Sequence, residues 1–398
     1  MPRFEPFAAL RYPSSASLDE VLAPPYDVLS EADVDRLQQR ANNITLVDVP
    51  RGGADRYQRA AQLLGQWIAD GVLVRDETPT LTIYRMSFTD ATGTARTIAG
   101  VLGGLAVVDY GSGGGVLPHE RTTPKASTDR LDLTRATGCN LSPVWGLSLA
   151  SGLTDELAAP AEVLGSVTVD GAVHSVERIS DPDRIARIQA IIAADDILIA
   201  DGHHRYGVAQ TYRDEVRAAT GRTDTAAEST LTFVNELRAD QLSIEAIHRL
   251  YSAVDPAALE AQLARSFVFS PAPSPTPATL ADMVTSGCLI YLRPNGTASW
   301  MTPRPGAFDG VRALDGAYLE HALAGLDHTV SYQHGLSEML AEVAAGDYAA
   351  GVLIRPTSLD EIIRTAREGL LMPPKSTFFT PKLLTGWVIR PANDSVTL

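Results

Sequence analysis

The chain has 398 residues, 45% of them apolar and 20% charged, an ordinary globular composition with room for two or three domains. Its 33 Lys and Arg against 48 Asp and Glu give a formal charge of -15, which argues against sequence-independent nucleic-acid binding, a process driven by phosphate neutralisation. No apolar stretch approaches the roughly 20 residues that span a bilayer, the first residues carry no charged-then-apolar signal, and Cys139 and Cys288 are too few for a disulfide framework or a thiolate metal cage; a cytoplasmic protein is expected.

In chain order, Pro24-Pro25-Tyr26-Asp27 comes first: two prolines fix an extended approach and present Asp27 just before a helix, or Asp27 merely ends a turn. Ser30-Glu31-Ala32-Asp33 has the form of a capping box and predicts a helix start, and the spacing of Tyr57, Ala60, Ala61, Leu64 and Ile68 predicts a second helix closed by Gly71. The β-rich runs Leu81 to Phe88 and Arg96 to Val108 flank a turn at 90–93 and predict a hairpin. Gly111 to Gly115 follows a strand but leads into Val-Leu-Pro-His and not a helix, so it reads as a loop and not a dinucleotide fingerprint. Residues 109–145 have few periodic apolar positions and predict loops and short helices that carry function. Within them, His119-Glu120-Arg121-Thr122, followed by Lys125, Asp129 and Arg130, is a dense titratable cluster, or else a wet charged face.

A helical pattern from Asp183 to Ala194 feeds the run Ile197-Leu-Ile-Ala200, which ends in Asp201-Gly202-His203-His204-Arg205. Val208, Tyr212 and Val216 at i, i+4 and i+8, stopped by Gly221, place a helix directly after this cluster. A strand ending where a helix begins makes an anion site, because the first-turn amides lack intrahelical partners and carry partial positive charge. The plainer alternative is a capped helix start with Asp201 as N-cap. Capping leaves both histidines and the arginine unexplained. The two histidines are adjacent, and side chains one apart on a helix diverge by about 100°, so they are poorly placed to share one metal ion.

After about residue 250 the character changes. Ser270 to Pro277, with four prolines, predicts a connector outside any helix or central strand. The runs at 288–293 and 297–301 flank Asn295-Gly296 and predict a hairpin. Residues 350–354 predict a strand, and Ser358 with Asp360 and Glu361 predicts a helix ending near Gly369. The last cluster, Met372 to Lys382, holds Lys375, Ser376, Thr377 and Lys382, ammonium and hydroxyl donors suited to a polyanion, or else a basic surface loop. No G-x-x-x-x-G-K-S/T, no H-E-x-x-H and no pair of C-x-x-C is present.

Taken together, Pro25 to Val28, His119 to Thr122, Ala200 to Arg205, His248-Arg249 and Met372 to Lys382 resemble, in the same order and over nearly the whole chain, the bacterial and archaeal family called domain of unknown function 1015. The Asp-Gly-His-His-Arg element is similar to the phosphate-binding corner of the ParB/sulfiredoxin superfamily, which includes free-serine kinases. The chain departs from the family pattern at Ala246-Ile-His-Arg249 and in the glycine-rich stretch before His119. The resemblance implies a mixed α/β fold: a ParB/sulfiredoxin-like catalytic core over residues 1–250 and a second α/β part over 251–398, whose Lys-Ser-Thr loop returns to the active site.

It also implies a small-molecule kinase that phosphorylates free L-serine to O-phosphoserine with ADP, ATP or pyrophosphate as donor. The alternatives are a phosphohydrolase on the same scaffold or a nucleotide-sensing regulator. In this picture Glu120 is the base, with Asp201 and His204 as the other catalytic residues. Gly202, His203, Arg205, Lys375, Ser376, Thr377 and Lys382 hold phosphates. Tyr26, Asp27, His119, Thr122, Arg130, His248 and Arg249 bind the substrate, Asp27 taking its ammonium. Mg2+ is expected as an ion carried with the phosphate donor, since phosphate and carboxylate oxygens suit it. The expected partners are an amino acid and a nucleotide or polyphosphate, with neither nucleic acid nor membrane.

Overall fold

A computed structural model describes residues 1–90, 93–111, 113–120, 127–373 and 375–393. The chain forms two compact units, one of Met1–Leu242, Ala366–Leu370 and Pro381–Leu398, the other of Ser243–Thr365 and Leu371–Thr380. Lys382 thus belongs to the first unit, and Lys375, Ser376 and Thr377 to the second.

The first unit is built on a mixed sheet. Among the described residues the strand order is Val116–Leu117, Ile197–Asp201, Val144–Ser148, Ser229–Glu236, Ala95–Ala106, Leu81–Thr89, Ala172–Ile179, Glu162–Val169, with Phe4–Glu5 also paired to Ala95–Ala106. The predicted hairpin is present, in register from Thr82↔Leu102 to Thr89↔Ala95. Ile197–Asp201 runs parallel to Val116–Leu117 and antiparallel to Val144–Ser148. Its Ile-Leu-Ile-Ala run is buried throughout, as expected of a strand covered on both faces.

The helix Pro182–Ile192 that feeds this strand starts at Asp181, whose carboxylate accepts from the Asp183 amide at 3.0 Å, with proline in the first turn where a missing N–H does no harm. Ile185, Ile188 and Ile192 then lie on one face, in a core with Leu81, Ile83, Val101, Ile197, Ile199 and Tyr206. Each fully buried isoleucine contributes about 1.5–3 kcal/mol by leaving water. The capping box at Ser30 and Asp33 opens Glu31–Gln38, and the second predicted helix spans Arg56–Ala69.

The final segment of the first unit is a buried strap. Leu383, Leu384, Trp387, Val388 and Ile389 are buried. Ile389 exchanges backbone hydrogen bonds with Leu10 at 2.9 Å each way, Thr385 bridges Ala23, and Arg390–Pro391 pairs with Cys139–Asn140. The Leu384 amide donates to the Tyr84 hydroxyl at 3.0 Å.

The second unit carries an antiparallel sheet in the order Phe267–Ala272, Ala298–Pro303, Leu289–Leu292, Ala350–Leu353, His248–Ser252, Thr329–Gln333. The Asn-Gly hairpin is among these pairs. The proline-rich connector begins later, and is shorter, than its composition predicts. Ser270, Pro271 and Ala272 complete a strand, because that strand lies at the sheet edge where a missing N–H breaks no ladder, and Pro277 opens the next helix, Pro277–Ser286.

Candidate functional site

The corner after Ile197–Asp201 forms as the spacing predicts, and the plainer alternative of an Asp201 cap does not. Asp201 is the last strand residue and does not cap the helix. Gly202 sits at the N-cap, at φ 85° and ψ 29°, with no side-chain cap bond, and His203–Thr220 is the helix, closed by Gly221 at φ 70°. Glycine is needed at 202 twice over: the positive φ disfavours a side chain, and a Cβ would lie 3.2 Å from Arg205 Nε and 3.3 Å from the Val144 Cα. With the glycine acting as the turn, the Asp201 carboxylate is left to make ion pairs.

Those pairs define the corner's electrostatics. Asp201 lies 3.0 Å from Arg205 Nη2 and 3.4 Å from Lys382 Nζ. Burial would raise its carboxyl, and the Lys382 and Arg205 cations hold it well below the usual carboxylate range. Arg205 is nearly buried and committed within the protein. Its Nη1 donates to the Pro143 carbonyl, its Nη2 also reaches Asp27 at 3.5 Å, and its Nε is buried without a hydrogen-bond partner. Burial opposes the guanidinium charge, and Asp27 and Asp201 more than restore it.

His119 is brought alongside by the parallel pairing of Val116–Leu117 with Ile197 and Leu198. It is fully buried, and its Nδ1 lies 2.6 Å from the Ile199 carbonyl oxygen, which requires a proton on Nδ1 because a carbonyl only accepts. The His119 amide donates to His203 Nε2 at 3.4 Å, and the two rings meet edge to face at 4.7 Å between centroids. Burial lowers His119 to about 4; burial and then the neighbouring His119 lower His203 well below the usual histidine value. Both rings are therefore neutral near pH 7. They form a wall beneath the helix start and carry no charge to it. Glu120 follows His119 and is half-buried, as is His204 in the first helical turn. Thr122, with Arg121 and Lys125, lies outside the described residues.

Tyr26 and Arg130 meet beside this corner. The Arg130 guanidinium lies 4.3 Å from the Tyr26 ring centroid and that of Arg205 lies 6.0 Å away. Arg130 Nε and Nη2 donate to Asp129 at 2.9 and 2.6 Å, and Nη1 to the Asp48 carbonyl at 2.6 Å. Asp129 also accepts from the Tyr57 hydroxyl at 2.6 Å. Tyr26 is pushed up to about 12 by burial, against the lowering effect of Arg205. Asp27 is exposed. A half-open pocket with a cavity volume of about 50 Å³ is lined by Tyr26, Asp48, Arg130, Ser142, Arg205 and Val208 among others. Asp48 and Ser142 escape a reading of the sequence. The one available signal is a lone carboxylate inside the apolar run Ile44-Thr-Leu-Val-Asp-Val49, and nothing local ties it to Arg130 or Ser142.

The remaining predicted residues lie in the second unit. His248 is buried, lowered to about 4 by burial, and its Nδ1 accepts from the Ile354 amide at 3.2 Å. Arg249 is buried, donates to the Ile247 carbonyl and lies 4.7 Å from the Tyr332 ring centroid. Lys375 is exposed at φ 60°; Ser376 is buried, its hydroxyl on the Pro373 carbonyl at 2.7 Å and its own carbonyl accepting from Thr357 at 3.0 Å; Thr377 is half-buried. The structure thus brings together Tyr26, Asp27, His119, Arg130, Asp201, Gly202, His203, Arg205 and Lys382 within the first unit.

Among the described residues no three His, Cys, Asp or Glu side chains converge as a metal cage. Asp201 is already met by two cations. A single carboxylate held by Lys382 and Arg205 makes no dedicated magnesium site of its own. Among the described residues, too, no helix is long and apolar enough to cross a membrane.

Residues 4–317 match the family model described as Protein of unknown function (DUF1015), and the chain belongs to that family. No curated protein sequence matches it. Solved structures with a similar chain trace include a free serine kinase variant in complex with AMP (11% identity, TM-score 0.39, covering 67% of this chain and 84% of that one). A conserved hypothetical protein from Pyrococcus furiosus is similar at 10% identity and TM-score 0.37, covering 67% and 87%. SbnI with a C-terminal truncation, from Staphylococcus aureus, is similar at 13% identity and TM-score 0.38, covering 72% and 86%.

Proposed function

We propose, taking membership of that family as the premise, that this protein is a small-molecule phosphotransferase whose acceptor is the hydroxyl of free L-serine and whose donor is ADP, ATP or pyrophosphate. The observation that carries the proposal is the corner itself: a helix start behind a glycine turn, with Asp201 fixed between Lys382 and Arg205. Phosphoryl transfer asks a protein chiefly for positioning and charge stabilisation, and a helix N-terminus beside an anchored ammonium supplies both.

In this proposal the serine oxygen attacks the terminal phosphorus of the donor, the bond from that phosphorus to the bridging oxygen breaks, and the bridging electrons stay on the leaving phosphate. The hydroxyl proton passes to the Glu120 carboxylate. The amides of Gly202, His203 and His204 face the transferred group, Lys382 adds positive charge, and Asp201 orients Lys382 and Arg205. Arg205, with its donors on Pro143, Asp201 and Asp27, acts as the brace of the corner. A magnesium ion on the donor would offset phosphate charge, with the edge of Asp201 as its nearest protein oxygen. Lys375, Ser376 and Thr377 enter the proposal through the motif alone, as donor-phosphate ligands.

The test is direct. The purified chain is incubated with L-serine and magnesium and, in turn, ATP, ADP and pyrophosphate, and phosphoserine is measured. Phosphoserine from one donor is expected. Free phosphate without phosphoserine would replace the proposal by hydrolysis, and nucleotide binding without turnover by sensing. Glu120→Gln is expected to lower turnover by at least about 10²-fold, the lower range for a general base; near-normal turnover removes Glu120 from that role.

A further inference from the structure

The pocket beside the corner contains a carboxylate with too few donors. The Asp48 side chain is 4% exposed, and its oxygens receive Arg130 Nη1 at 3.3 Å and the Ser142 hydroxyl at 3.4 Å, both at the long end for a hydrogen bond. The Ser142 hydroxyl also lies 3.0 Å from the Thr385 hydroxyl, and either of the two can donate to the other. An ionised carboxylate accepts about four hydrogen bonds. Burial pushes the Asp48 carboxyl up, and Arg130 and Arg205 do not bring it back.

The pocket's cations, by contrast, direct most of their nitrogens at other partners. Arg130 directs Nε and Nη2 at Asp129 and its best Nη1 contact at the Asp48 carbonyl. Arg205 serves Pro143, Asp201 and Asp27, and its Nε, left without a hydrogen-bond partner, lies against Gly202. The demand left unmet at the Asp48 end is for hydrogen-bond donors carrying positive charge. Arg205 lines the pocket and also grips Asp201, so the pocket adjoins the proposed transfer site.

We infer that Asp48, with Ser142 and the Tyr26 ring, is the subsite for the primary ammonium of a small hydroxylated ligand, the acceptor's α-ammonium. Asp27, the alternative holder, is exposed and already shared with Arg205. Assigning this ammonium to the acceptor rests on the phosphotransferase proposal; the pocket's preference for an ammonium does not.

The test is calorimetric binding to the full chain of three small probes: L-serine, ethanolamine, which lacks the carboxylate, and 3-hydroxypropionate, which lacks the ammonium. L-serine and ethanolamine are expected to bind, and 3-hydroxypropionate at least about tenfold more weakly, the equivalent of one hydrogen bond to a charged group. Asp48→Asn is expected to weaken both amines by at least about tenfold while leaving ADP binding within about twofold. Equal binding of 3-hydroxypropionate and L-serine, no ammonium-dependent binding at all, or unchanged amine affinity in folded Asp48→Asn each overturns the inference. The wild-type series decides even if the variant does not fold. Phosphoserine formation with an unchanged serine KM in Asp48→Asn sinks this inference and spares the phosphotransferase proposal. Ammonium-selective, Asp48-dependent binding with no phosphoryl transfer does the reverse.

Discussion

Two carboxylates of the first unit are buried beside a guanidinium to almost the same depth, Asp76 at 5% and Asp48 at 4% side-chain exposure, and they are served very differently. Asp76 receives Arg11 Nε at 3.0 and 2.9 Å, Arg11 Nη2 at 2.8 Å, the Thr80 hydroxyl at 2.8 Å and Arg178 at 3.4 Å. What is left unmet there is a nitrogen, Arg11 Nη1. Burial alone would raise the Asp76 carboxyl, and Arg11 and Thr80 reverse it, so it stays below the usual range. Asp48 has two long contacts and is raised by burial. A buried charge with its bonds made holds a fold together; a buried charge with its bonds unmade lowers stability and is tolerable where a ligand completes it.

The largest test of this contrast is Arg11→Met. It leaves Asp76 buried with only Thr80 and Arg178, and is expected to cost about 3 kcal/mol, the low end for breaking a buried pair, in a urea unfolding curve. A loss below about 1 kcal/mol would make the Asp76 pair no more structural than a surface ion pair.

Of similar size is the effect of pH on the neutral histidines. His119 and His174, each lowered to about 4, and His203, also lowered, take up protons in the unfolded chain before they do in the folded one. Their contribution to stability is therefore full above about pH 6.5 and lost as pH falls from there towards 4; for His119 alone the loss is on the order of 3 kcal/mol. His119→Gln should reduce the slope of stability between pH 6 and 4.5 by about 1.4 kcal/mol per pH unit. Asp76 and Asp201, both lowered, lose their contributions only below about pH 3.9, so the two effects separate. Asp48, raised, acts in the opposite sense and is relieved as pH falls.

The smallest expected effect sharpens the comparison most. Asp48→Asn removes an underserved charge, so the unfolding free energy should change by less than about 1 kcal/mol, or rise. A loss as large as that in Arg11→Met would place Asp48 with Asp76 among the residues that hold the fold.

The corner can be read from sequence because its information is local: an apolar run, a glycine and a helical period lie within 25 residues of one another. The mixed α/β class, the hairpins at 81–106 and 289–303 and the helix at Pro182–Ile192 are readable for the same reason. The alternative of an Asp201 cap is decided locally too, since the tight turn puts Gly202 at the N-cap. The Asp48 pocket is not readable. Asp48, Arg130 and Ser142 come from three segments whose meeting depends on sheet order, and Asp48 sits in a run that looks like core. The pairing of Lys382 with Asp201 depends on the buried strap, whose apolar residues show no period that points to strand Ile197–Asp201.

That strap also sets a timetable. Asp201 leaves the ribosome long before Lys382, and at about 5–20 residues per second the interval is on the order of ten seconds or more. During synthesis the corner has its carboxylate and its arginine but not its lysine. Tyr84, Cys139–Asn140 and Ala23 also wait for their partners among residues 384–391. The first unit, most of which is made first, therefore cannot complete these contacts until its last residues are made, and a nascent chain stopped before residue 381 would expose the apolar groove that the strap fills.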